Sequence, residues 1–198
     1  DAPAPPVTGG LSLGKASLSD TLRRAADHGL AGVVREAVRQ RPLSAAQLRL
    51  RSGEVEQWIV ADAAGRFAVE NLAPGKWQVK VAIVGHVAER FEVSVPHHGE
   101  LRSMRVDLVP VREQIFALYR RAAEPLLPEP RLWGVWSPRQ IVDHVRRARP
   151  RPELAVLTAF VEDAYFSARV FEEAVLEEAR AKVERAVAEQ RAATAAAT

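Results

Sequence analysis

The chain has 198 residues, 47% hydrophobic and 27% charged, with a formal net charge of +3; this fits one or two small globular domains, each able to bury a modest core. It has no cysteine, which excludes disulfides, thiolate metal ligands and cysteine nucleophiles. The small net charge does not mark a nucleic-acid binder, and no apolar run reaches the roughly 18 residues that a membrane-spanning helix needs.

Asp1 to Gly10 is rich in alanine, proline and glycine and reads as an extended linker. The chain opens on Asp1 rather than Met, and the expectation is a processed product or a piece of something longer. Ser19-Asp20 has the chemistry to cap a short helix through Ala26, with Gly29 as its stop, so residues 1–29 are taken as linker plus short helix.

From Leu30 to Pro110 the hydrophobic period is two. Trp77, Val79, Val81 and Ile83 alternate with Lys76, Gln78, Lys80 and Ala82, which predicts one buried and one wetter sheet face. Phe91, Val93 and Val95 alternate with Glu92 and Ser94, and Leu48/Leu50, Phe67/Val69 and Val106/Leu108 are shorter versions. Turn signals at Arg41-Pro42, Ser52-Gly53, Ala64-Gly65, Pro74-Gly75 and His98-Gly99 recur about every 8–12 residues, the spacing of a β-sandwich. Gly65 is read as a hairpin tip, with Asp62 accepting from the turn's own amides, and Pro74-Gly75 as the centre of a type II turn.

At Val111 the period becomes helical. Ile115, Leu118, Tyr119 and Ala122 share one face. Ser137-Pro-Arg-Gln140 forms a capping box with proline at the first helical position, leading into Ile141, Val142 and Val145. A third helix after Arg151-Pro152 carries Leu154, Leu157, Val161 and Ala164 inward, and a fourth, from about Glu172 to Gln190, carries Val175, Ala179, Val183 and Ala186. Residues 125–136 between the first two are too proline-rich to continue a helix. The expected fold class is α+β by segregated domains: a seven-stranded all-β sandwich over 30–111, an all-α domain over 112–191, and a disordered tail over 192–198.

Gly32-Val-Val34, Leu43 to Leu50, Asp62-Ala-Ala-Gly65-Arg-Phe67, Asn71-Leu-Ala-Pro-Gly75 and Gly85-His86 follow one another in the order of the carboxypeptidase regulatory-like family. The first half resembles that family, which implies a transthyretin-like sandwich used for folding, spacing or binding, with no catalytic residues to carry over. Ser137-Pro-Arg-Gln-Ile141, Leu154 to Leu157 and Val161-Glu162-Asp163-Ala-Tyr165-Phe166 resemble the helical domain of unknown function at the C-terminus of bacterial transglutaminase-like membrane proteins. That resemblance implies an envelope context and confers no activity.

Two His-x-x-Glu pairs, His86/Glu89 and His97/Glu100, have the spacing of two zinc ligands but lack an evident third. His86 and Glu89 are expected in one strand, where that spacing points the side chains to opposite faces, and His97 and His98 in a solvated turn. His144 reads as a histidine at the edge of the second helix's apolar face. Arg139, Arg146, Arg147, Arg149 and Arg151 precede Glu162, Asp163, Glu172, Glu173, Glu177 and Glu178, so the arginines either pair with the acidic helices or dock on an anionic partner. Trp133 and Trp136 either cover a small helical core or anchor a partner, and Trp58 sits either in the core or on a face of the sandwich.

The function expected from the sequence is a non-enzymatic accessory module of a bacterial cell-envelope protein, periplasmic or secreted, with any membrane tether supplied by residues outside this chain. Catalytic, cofactor and metal residues are expected to be absent. Trp133, Trp136, Arg139, Arg146 and Arg147 are the partner-binding candidates. The partner is expected to be a protein and not nucleic acid; the alternative is a carbohydrate-binding module using exposed tryptophans.

Overall fold

The computed structural model describes residues 21–23, 29–97, 100–148 and 150–195. The chain divides into two compact units, Asp1–Ile83 with Ala88–Val109, and Val84–Val87 with Pro110–Thr198. The first is all-β and the second all-α, as the change of period at Val111 predicts.

The first unit holds β1 (Thr21–Arg23), β2 (Gly29–Glu36), β3 (Gln47–Ser52), β4 (Val55–Val60), β5 (Arg66–Val69), β6 (Gly75–Ala82), β7 (Glu89–Val95) and β8 (Glu100–Leu108). These form two four-stranded sheets, ordered β1-β8-β2-β5 and β4-β3-β6-β7. All pairings are antiparallel except β2 with β8. Leu30, Val34, Phe67, Val106 and Leu108 of the first sheet share one core with Leu48, Leu50, Trp77, Val79 and Val81 of the second. The period-two positions thus become inner faces, which is how a sandwich buries alternate residues. Trp77 is fully buried and satisfies its indole N–H by donating to the Ala73 carbonyl at 2.8 Å, within the predicted Pro74-Gly75 turn.

Two local expectations are corrected. Thr21–Arg23 is a strand paired with β8, Thr21 opposite Arg102, rather than part of a helix; the rest of that predicted helix lies outside the described residues. Ladder hydrogen bonds along β8 outweigh a single capping signal. The Asp62–Arg66 turn is also not a hairpin, because β4 and β5 belong to different sheets. Its internal chemistry is as expected. The Asp62 carboxylate accepts from the amides of Ala64 (2.9 Å) and Arg66 (2.8 Å), and Gly65 has φ +71°. A Cβ on Gly65 would stand 2.5 Å from the Val34 carbonyl oxygen, so the turn needs glycine for space as well as conformation.

The second unit holds α1 (Val111–Ala123), α2 (Pro138–Ala148), α3 (Pro152–Phe166) and α4 (Val175–Ala195), with two short 3-10 turns, Glu124–Leu126 and Pro130–Gly134, in the proline-rich connection. Ile115, Leu118, Tyr119 and Ala122 are buried with Ile141, Val145, Leu154, Leu157, Val161, Ala164, Ala179, Val183 and Ala186. The capping box forms: Ser137 N–H donates to Gln140 Oε1 at 2.8 Å, and Gln140 N–H to Ser137 Oγ at 3.3 Å. On α4, Leu176 takes the inner position expected for Val175, which is half-buried. That helix runs through residues 192–195, where a disordered tail is expected; alanine's high helix propensity favours the extension. Residues 196–198 lie outside the described residues. Among the described residues no helix is long and apolar enough to cross a membrane.

Candidate interaction surfaces

The strand register brings the most concentrated surface chemistry of the first unit onto the outer face of the β4-β3-β6-β7 sheet. Trp58 stands opposite Arg49, Arg49 opposite Lys80, and Lys80 opposite Arg90, one row across all four strands. The next row is Glu56, Arg51, Gln78 and Glu92. Between Arg49, Arg51, Gln78, Lys80, Arg90 and Glu92 lies a shallow groove of about 460 Å³.

Trp58 is 61% exposed, yet its ring is held in place. Its indole N–H donates to Glu56 Oε1 at 2.6 Å, Arg49 donates to Glu56 Oε2 at 2.5 Å, and the Arg49 guanidinium lies 5.4 Å from the ring centroid. The hydrogen bond from Arg49, joined by that from Trp58, holds the Glu56 carboxyl below the usual range against an opposing desolvation. At the other side Lys76 pairs with Glu92 at 3.0 Å. Arg51 donates to the Gly53 carbonyl at 3.2 Å, and Lys80 makes no ion pair among the described residues.

Lys80 therefore lies between two arginines on neighbouring strands. Like charges directly opposite on a sheet destabilise it; Arg49 is offset by its pair with Glu56, and Lys80 has no such carboxylate among the described residues. Sequence reasoning missed the cluster because its members belong to three strands. The available signal was the outward Arg49 and Arg51 of one predicted strand together with Lys76 and Lys80 of another. The row ends at β4, a sheet edge along which Val55, Trp58 and Val60 are exposed.

In the second unit the five predicted partner-binding residues do not form one surface. Trp133 is half-buried against Phe116 (5.3 Å between ring centroids) and Tyr119 (5.8 Å), with the Arg120 guanidinium 5.5 Å from its ring. It covers the helical core. Arg139 on α2 donates to Glu162 on α3 at 2.8 Å, and Arg146 lies 3.5 Å from Asp143 of its own helix. Arg151 donates to the Glu189 carbonyl at 3.1 Å, while Arg149 lies outside the described residues. Trp136 and Arg147 do meet, in a shallow depression of about 300 Å³ with Gln140, Asp143 and His144. The Trp136 and His144 rings are 5.0 Å apart there.

The His-x-x-Glu pairs separate differently from the expectation. Glu89 opens β7, but His86 lies before it in the loop after β6, where it bridges to Pro110, and not in a strand with Glu89. His97 follows β7, and its neighbours His98 and Gly99 lie outside the described residues. Among the described residues no group of three or more histidine, aspartate or glutamate side chains is placed to hold a metal ion.

No protein-family model matches the chain, and no curated protein is similar to it. Several solved structures are similar to part of it. The Bacillus anthracis TIE protein is 18% identical over 43% of this chain and 17% of its own length, with a TM-score of 0.35. A 3-chlorocatechol 1,2-dioxygenase from Rhodococcus opacus is 11% identical over 44% of this chain and 62% of its own, with a TM-score of 0.36. The pilus 2b backbone protein of group B streptococcus is 11% identical over 42% of this chain and 41% of its own, also at 0.36. The matched region thus spans less than two thirds of each of these proteins.

Proposed function

We propose that this chain is a non-enzymatic recognition module of a bacterial cell-envelope protein, acting in the periplasm or outside the cell, and that it recognises its partner through the outer face of the β4-β3-β6-β7 sheet. The observation that carries this reading is the row Trp58–Arg49–Lys80–Arg90, an exposed, braced aromatic in line with three cations, of which Lys80 makes no ion pair among the described residues. The resemblance of the sandwich to the carboxypeptidase regulatory-like family, and of the helices to the C-terminal domain of transglutaminase-like membrane proteins, agrees with an accessory role. Protein assembly is one use of such a face. Carbohydrate recognition is the second reading, favoured by the open ring of Trp58. Trp136 and Arg147 form a smaller, secondary candidate surface on the helical unit.

The test is site-specific photo-crosslinking in a cell-envelope fraction. A photoreactive residue in place of Val60, on the same face as Trp58, is expected to capture one discrete envelope component. Combining it with Arg49→Glu and Lys80→Glu is expected to abolish capture. Capture that survives both reversals would remove this face from the account.

A further inference from the structure

The charge and geometry of the same face specify the chemistry of its partner, an inference that rests on the recognition reading above. We infer that the groove between Arg49, Lys80 and Arg90, with Trp58 at its end, binds a carboxylated polysaccharide, a polymer of uronic-acid-type sugars.

Charge points to an anionic partner. Among the paired outward positions of these four strands the cations are Arg49, Arg51, Lys76, Lys80 and Arg90 and the carboxylates Glu56 and Glu92. Glu56 is committed to Arg49 and Glu92 to Lys76. An anion lying over Lys80 would supply the counter-charge that no described residue gives it.

Trp58 argues for a sugar within the anionic classes. Its side chain is braced by Glu56 and Arg49, so little rotamer freedom remains to be lost when a ring face stacks on it. Neighbouring strands are about 4.8 Å apart, so Arg49, Lys80 and Arg90 span about 10 Å, with Trp58 one strand further. A polymer laid across the strands would meet the aromatic first and then successive cations. The adjoining row adds Gln78 and Glu92, which accept hydrogen bonds from hydroxyl groups.

The same row disfavours nucleic acid. Trp58 is the single exposed aromatic in the paired rows of these strands, where single-strand binders stack successive bases on several.

The experiment is calorimetric titration of the full chain with polygalacturonate, neutral dextran and a single-stranded oligothymidine at low salt, repeated with Lys80→Glu and Trp58→Ala. Polygalacturonate is expected to bind and to weaken as salt rises. Binding should fall at least about tenfold in Lys80→Glu and several-fold in Trp58→Ala, and dextran should not bind. Thermal melting checks folding, and Lys80→Glu is expected to melt no lower than the wild type because it relieves the like-charge row.

Absence of polygalacturonate binding, binding that Lys80→Glu leaves unchanged, or tighter binding of oligothymidine would each overturn the inference. If polygalacturonate fails while the Val60 crosslink to an envelope component is still lost in Lys80→Glu, the glycan is wrong and the recognition face stands. If both fail, the recognition reading falls as well.

Discussion

The Tyr119 hydroxyl donates to the Pro138 carbonyl at 3.3 Å, tying the middle of α1 to the first turn of α2. The Thr158 hydroxyl of α3 lies 3.3 Å from the Tyr119 hydroxyl oxygen and donates to the Leu154 carbonyl at 2.8 Å. This buried polar node fixes where α2 begins and so positions the capping box. Tyr119→Phe is expected to cost about 1 kcal/mol and to lower the melting temperature of the helical unit by about 4–8 °C. Calorimetry of the full chain, resolving the two units, checks it.

Burial of Tyr119 also pushes its phenol up to about 12, with the neighbouring Thr158 hydroxyl opposing and the Glu162 charge adding to the shift. A raised folded pKa means that the native state holds its proton while the unfolded chain releases it near 10. The stability is therefore complete below pH 10 and is lost as pH rises towards 12, at up to about 1.4 kcal/mol per pH unit. In Tyr119→Phe this alkaline slope should largely vanish. Urea unfolding of both proteins across that range measures the difference.

Gly32 lies where the register of β2 with β8 shifts, and a Cβ there would stand 2.2 Å from the Met104 carbonyl oxygen. The obstacle is backbone at the centre of the first sheet and has no room to yield. Gly32→Ala is expected to destabilise the sandwich by about 2–4 kcal/mol. The same change at Gly53, where φ is +57° and nothing lies within 4 Å, should cost about 1 kcal/mol. Chemical denaturation followed by tryptophan fluorescence ranks the two.

The Asp62 carboxyl is held below its usual range first by the amide of Arg66, with the Arg66 side chain and the Ala64 amide adding to it. A lowered folded pKa gives stability that is present above about pH 4 and lost as pH falls through the folded value. Asp62→Asn should lower the thermal midpoint at neutral pH and flatten its decline in acid. Unchanged melting from pH 3 to pH 7 would contradict the turn's assigned role.

Most of the architecture is legible in the sequence because it rests on local chemistry. Trp77, Val79 and Val81 alternate because a half-buried strand requires it, and Ser137 with Gln140 marks a helix start because each satisfies the other's amide. What escaped depends on distant pairing. Thr21–Arg23 becomes a strand only because β8, far along the chain, is there to receive it. Asp62 and Gly65 specify a turn's shape but not which sheet the next strand joins. The arginine run from Arg139 to Arg151 stood out because it is contiguous, yet Arg139 pairs with Glu162 and Arg146 with Asp143. Arg49, Lys80 and Arg90 are adjacent only through strand register, and each alone looks like an ordinary outward residue.

The central claim is that recognition belongs to the outer face of the second sheet. Amide chemical-shift mapping of the full chain during addition of a short oligogalacturonate tests it most directly. The account predicts shifts concentrated at Arg49, Arg51, Trp58, Gln78, Lys80 and Arg90. Shifts confined instead to Trp136, His144 and Arg147, or a spectrum that does not respond, would contradict it.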